Sequence, residues 1–284
     1  MGSRRTVGRE ISADGVALHA GVPVFMRIAP AEANSGVHFR RTDLPSRPLI
    51  SALWRNIIDS RFATVIGSGG STVAVTEHLL AALSGAGIDD CLIELDGPEP
   101  PLLDGDALSF LLLLDHAGVH EFDVPRGAIR VKRPVEVNGT AASVRLLPAN
   151  RSEFFFEIDF PATVIGHQTF ECALNESDFR SQIAPARTFG FLDQAEQLRS
   201  AGFARGASLD NTLVVDGDRI CNPEKQRFPD EFARHKILDA IGDMKLAGAP
   251  VIARFEGRRS SHALNAALLR ALFSDPTNYE IVRG

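Results

Sequence analysis

Lysine is scarce in this chain of 284 residues: only Lys132, Lys225, Lys236 and Lys245 stand among its 30 basic side chains. Acidic residues number 36, so the formal charge is −6 at pH 7. A mildly acidic chain is poorly matched to a phosphate backbone, which argues against nucleic acid as a main partner. Cysteine is scarce too. Cys91, Cys172 and Cys221 lie far apart with no CxxC pair, so neither a disulfide framework nor a thiolate zinc site can be read. Long apolar runs are missing: "FLLLLD" at 110–115 falls far short of the ~20 residues that cross a bilayer. The opening "MGSRRTVGREISADGVALHAG" is basic at first but has no apolar core of signal-peptide length. These absences predict a soluble, cytoplasmic protein, with monomer as the expected state.

What is present is a globular composition, 44% hydrophobic and 23% charged, long enough for one large domain or two ordinary ones. The first 50 residues alternate apolar and polar positions between turn residues, as strands and hairpins do. "TEHLLAALSGAGID" then takes helical spacing with Thr76 at the N-cap position, "CLIELDG" reads as a strand, and "ALSFLLLLDHAG" as a helix ending at Gly118. "VPRGA" at 124–128 breaks the chain. Strands resume, "DQAEQLRSAG" is helical, and "TLVVDGDRICN" forms a hairpin around Asp216-Gly217. The strongest helix is "DEFARHKILDAIGDMKLAG", followed by strand "VIARFEG" and helix "SHALNAALLRALFSD". Each half runs strands, helix, strand, helix. That order predicts an α+β fold of two similar domains, 1–125 and 126–284, each a sheet layer packed on helices.

In the strongest helix, His235, Asp239 and Asp243 recur every four residues, so they share one side over about two turns. An imidazole and a carboxylate at i and i+4 can grip one Zn²⁺, but a catalytic zinc usually takes three protein ligands. A solvent-facing ion pair accounts for the same spacing, and spacing alone favours it. "VTEHLLAAL" offers the third ligand: His78 binding, with Glu77 as base toward a water. The pair reads equally as a helix-start glutamate beside a core histidine. His262 follows Ser260 and Ser261 at a helix start, either as a structural histidine or as a proton donor oriented by Asp243. His38, His116, His120 and His167 (the last in a loop) read as structural, and His19 is ambiguous. "IGSGGST" at 66–72 lacks the ending of a P-loop and the spacing of a dinucleotide site, and reads as a hairpin tip. No G-x-S-x-G elbow supports serine hydrolase chemistry.

"VTEHLLAALSGAGIDD", "GPEPPLLDGDALSF", "ARTFGFL", "FARHKILDAIGD" and "SHALN", in this order, resemble the UDP-3-O-acyl-N-acetylglucosamine deacetylases. These are zinc amidohydrolases of lipid A biosynthesis in Gram-negative bacteria, and the likeness covers nearly the whole chain. The resemblance implies a site at the junction of two α+β domains, with His78, His235 and Asp239 as Zn²⁺ ligands and Glu77 as general base. It further implies that His262, beside Asp243, stabilises the oxyanion and protonates the leaving nitrogen, with Thr188 supporting. Lys236, Phe189 and Phe191 match substrate-binding positions. An insert over about 190–227 corresponds to a passage for the acyl chain, with Leu192, Ala195, Ala204, Thr212 and Val214 at lining positions. The implied partner is an acylated UDP-amino sugar.

The chain departs from the family pattern in three places. Val75-Thr76 exchanges the usual order, Ser261 replaces a glycine before His262, and residues 52–64 with "GSGGS" fit only loosely. A two-histidine, one-aspartate set accepts Zn²⁺ or Fe²⁺. The acyl length is left open, as are an amidase of another N-acylated sugar nucleotide and a binding paralogue without turnover.

Overall fold

The computed structural model describes residues 2–283. The chain opens with β1 (Ser3–Val7), β2 (Ile11–Val16), β3 (Pro23–Pro30), β4 (Val37–Arg41) and β5 (Leu49–Ser51). Three short strands follow, β6 (Ile57–Asp59), β7 (Val65–Ser68) and β8 (Ser71–Val73). Then come α1 (Glu77–Gly85), β9 (Cys91–Leu95), α2 (Leu108–Ala117) and β10 (Val119–Pro125).

Past Arg126 the chain forms β11 (Gly127–Val131), β12 (Val135–Asn138), β13 (Ser143–Leu147), β14 (Glu153–Phe160) and β15 (Gly166–Ala173). An insert holds α3 (Glu176–Asp178), β16 (Phe189–Phe191), α4 (Leu192–Ser200), β17 (Leu213–Asp216) and β18 (Arg219–Ile220). The chain closes with α5 (Glu231–Lys245), β19 (Val251–Ile252), β20 (Arg254–Arg258), α6 (His262–Ser274) and β21 (Tyr279–Arg283).

Two five-stranded sheets dominate, ordered β2-β3-β9-β4-β5 and β12-β13-β20-β14-β15. Numbered in chain order within each half, both read 1-2-5-3-4. Both are antiparallel except at one parallel pair, β4 with β9 and β14 with β20. The repetition is therefore closer than element order alone suggests. Both halves also carry their insert at the same point, between the fourth strand and the buried helix, α1 or α5. Alternating burial along β4, β9 and β13 gives each sheet one face toward the core.

The helices explain how the halves meet. In α1 every residue but Ser84 is buried, and in α5 all but Arg234, Lys236 and Lys245. A helix buried on nearly all sides belongs to an interior. The two pack directly on one another, with α2 against β2, α6 against β12 and β13, and α5 also against β14 and β15. The closest approach is at Gly242, where a Cβ would stand 2.0 Å from the carbonyl oxygen of Glu77. Only glycine fits that crossing.

Two local expectations change. Thr76 sits before α1 but its side chain does not cap the helix; it is fully buried and its hydroxyl donates to the Thr64 carbonyl at 3.3 Å. His167 lies in β15 rather than a loop. The glycine-rich tip turns β7 into β8 through Gly69 and Gly70, both at positive φ (57° and 83°), as a tight two-residue hairpin requires.

Candidate metal centre

Gly242 sets α1 beside the middle of α5, and the ionisable residues of both helices face each other there. His78, His235 and Asp239 present ligand atoms all within 4.8 Å of one another. Asp239 Oδ1 lies 3.6 Å from His78 Nε2 and 3.4 Å from His235 Nε2. Ligands about 2.0–2.1 Å from a tetrahedral ion stand roughly 3.4 Å apart, so both distances from Asp239 suit a shared metal. The solvent-facing ion-pair reading fails, because His235 and Asp239 are only 3% and 4% exposed.

The surroundings tune each ligand. His235 Nδ1 faces the Ala186 carbonyl at 3.1 Å, which fixes a proton there and leaves Nε2 as a lone pair toward Asp239. Burial drops the His235 pKa to about 3, holding the ring neutral as a ligand must be. Burial resists the Asp239 charge, but the Lys236 ammonium beside it outweighs that and holds the carboxyl well below its usual range. Lys236 Nζ donates to Asp239 Oδ2 at 2.6 Å, leaving Oδ1 for the histidines.

Glu77 and His262 flank the triad. His262 Nε2 lies 3.8 Å from both Glu77 Oε1 and Asp239 Oδ2. Its Nδ1 meets Asp243 Oδ2 at 2.9 Å. Burial disfavours the His262 cation, yet Asp243 and Glu77 prevail and raise its pKa to about 9. For Glu77, burial is the larger influence and raises its pKa. Counting Glu77, Asp239 and Asp243 as charged against Lys236 and protonated His262 leaves one net negative charge, buried and suited to a dication.

Several contributors carry no sequence signal. Thr64 donates its backbone N–H to Glu77 Oε2 at 3.1 Å and its hydroxyl to Asp243 Oδ1, joining the two sides of the site. Asn265 Nδ2 donates to Asp243 Oδ2 at 2.8 Å; its place in "SHALN", one turn after His262, is the one hint available. Ser261 caps α6 by accepting from Leu264 N, whereas Ser260 donates to Asn265 Oδ1. Val75, of the exchanged dipeptide, bends the chain into α1 at φ 54°, a strained setting for a β-branched residue.

Of the other predicted positions, Thr188 is pinned by its backbone, with N bonded to Gly105 O and O to Leu213 N. Phe189 stands edge-on to His235 at 6.2 Å and to Phe191 at 6.2 Å. Beyond Phe191, Leu192, Ala195, Ala204, Thr212 and Val214 line one largely apolar cavity of about 340 Å³. His19 is half-buried, its Nδ1 accepting from Ala204 N, and burial lowers its pKa to about 4.

Comparison with known proteins identifies a family. The family model for UDP-3-O-acyl N-acetylglycosamine deacetylase matches residues 4–274. A UDP-3-O-acyl-N-acetylglucosamine deacetylase from Nitratiruptor sp. is 45% identical, covering 98% of this chain and 93% of its own length. One from Myxococcus xanthus is 44% identical, covering 99% and 89%, and one from Phenylobacterium zucineum 45%, covering 94% and 92%. With the match running nearly end to end, and through both helices of the candidate metal centre, the chain belongs to the UDP-3-O-acyl N-acetylglycosamine deacetylase family.

Proposed function

We propose that this protein hydrolyses the N-acetyl amide of UDP-3-O-acyl-N-acetylglucosamine, giving UDP-3-O-acyl-glucosamine and acetate, a step of lipid A biosynthesis. The observation that carries the reading is the convergence of Glu77, His78, His235, Asp239 and the His262–Asp243 pair from opposite halves of the chain. In this reading residues 1–125 and 126–284 are two domains and the reaction occurs where they meet. It carries with it a cytoplasmic monomer acting on a nucleotide-activated sugar. Among the described residues, no helix is long and apolar enough to cross a membrane.

His78, His235 and Asp239 would hold Zn²⁺, with Fe²⁺ acceptable to the same donors. A metal held there would supply Lewis-acid chemistry, lowering the pKa of a water and polarising the amide carbonyl. Glu77 takes the proton of the attacking water as the new C–O bond forms. Protonated His262, oriented by Asp243, faces the developing oxyanion through Nε2, with Thr188 on the same oxygen. His262 then passes its proton to the nitrogen as the C–N bond breaks, releasing the amine and acetate. Lys236, Phe189 and Phe191 contact the sugar, and the cavity beyond Phe191 takes the acyl chain. That cavity favours an acylated substrate over other N-acylated sugar nucleotides.

Acetate release from acylated and non-acylated UDP-N-acetylglucosamine, with metal analysis of the same sample, tests this. Acetate from the acylated substrate and about one metal per chain are expected. No turnover in the metal-loaded protein, or equal rates on both substrates, would overturn it.

A further inference from the structure

Lys245 ends α5 away from the metal centre, six residues past Asp239 and so about 240° around the helix. Its Nζ donates to the Ile88 carbonyl at 2.5 Å. An ammonium carries three donors, so two are left. The nearby carboxylates are committed elsewhere. Arg4 holds Asp90 with two bonds of 2.8 and 2.6 Å, and Gly36 N adds a third donor to the same carboxylate. Arg126 Nε holds Asp89 at 2.8 Å, and Arg5 N donates to its other oxygen. Among the described residues no acid pairs with Lys245.

Lys245 lines a cavity of about 330 Å³, whose wall also includes Arg4, His38, Ser51, Arg55 and Asp89. Asp89 is its one acid. The volume is at the lower end for small-ligand sites. Lys245 and Arg55 have no acid partner among the described residues, and Arg4 keeps Nη1 clear of Asp90, so the three cationic side chains of the lining match a dianion better than a single carboxylate. Burial, only partly offset by Asp89, lowers the Lys245 pKa to about 8, which fits an ammonium lacking a counter-charge of its own.

We propose that this cavity binds the phosphate group of a phosphomonoester, held by Lys245, Arg4 and Arg55. The site is separate from the metal centre and rests on neither the metal nor the deacetylase reading. The phosphate could belong to a soluble metabolite or a lipid headgroup, and the probes tell these apart.

Calorimetric titration of the metal-loaded enzyme with glycerol 3-phosphate, beside co-sedimentation with phosphatidate vesicles, tests it. One saturable event is expected, weakened roughly tenfold or more in Lys245→Met, which removes charge-assisted hydrogen bonds. Arg55→Gln, at an exposed position, should weaken it by about three- to fivefold. Lys245-dependent binding of glycerol 3-phosphate identifies a soluble ligand; the same dependence with vesicles alone identifies a headgroup. Absence of binding to either probe, or binding unchanged in both variants, overturns the proposal.

Discussion

The two halves share a strand order and an insertion point, yet they contribute to the metal centre in different ways. α1 presents Glu77 and His78 at its first turn, where the chain has just left the strained Val75. α5 presents His235, Asp239 and Asp243 from its middle. The inserts differ as much: one is three short strands with a Gly-Gly turn between the last two, the other surrounds a cavity of about 340 Å³. A repeated frame therefore fixes where side chains can meet, while local departures from the repeat decide which chemistry each half supplies.

The largest effects should come from separating what the two helices do. Glu77→Gln should lower kcat by about a hundredfold to ten-thousandfold while metal content stays near wild type. Asp239→Asn, on the partner helix, should lose the metal itself, read by elemental analysis after dialysis. If both variants lose metal equally, the division of labour between α1 and α5 is wrong.

Next comes the crossing between them. Gly242→Ala should cost about 1–3 kcal/mol or more in thermal unfolding, because the contact is to backbone that cannot rotate away. It should also weaken metal binding in chelator competition, as His78 is pushed from α5. Unchanged metal affinity would separate the helix contact from the site.

The inserts give a sharper contrast. Ala195→Phe should raise KM for a long-acyl substrate about tenfold or more while sparing a short one. Lengthening the Gly69-Gly70 turn should leave acyl preference unchanged, so a shift there would blur the distinction between the inserts.

A smaller effect is the alkaline limb. His262 is held up to about 9, above its ordinary 6.5, so protonation favours the folded state. That stabilisation is complete below about 6.5 and is lost as pH rises through about 9. The pH–rate profile should fall as pH rises through about 9, and Asp243→Asn should move the fall to lower pH.

The α5 side of the site was legible because His235, Asp239 and Asp243 obey helical spacing. Metal or solvent could not be chosen from spacing, since the choice depends on burial against α1. Element order in each half was legible as well. The 1-2-5-3-4 strand order was not, because pairing between distant strands leaves no periodic trace. Thr64 shows the limit most plainly: its hydroxyl meets Asp243 across 179 residues of chain, from a segment that fitted the family only loosely. Ala186 was equally hidden, because it acts through a carbonyl that every residue possesses.

The place where Gly242 rests on the Glu77 carbonyl has a consequence for how such chains can diverge. Side chains around the centre can drift and be compensated by their neighbours, but a position touched by main chain admits no partner change. Along a lineage, position 242 should be frozen even where its flanking residues wander, like a pivot pin in an otherwise refitted hinge.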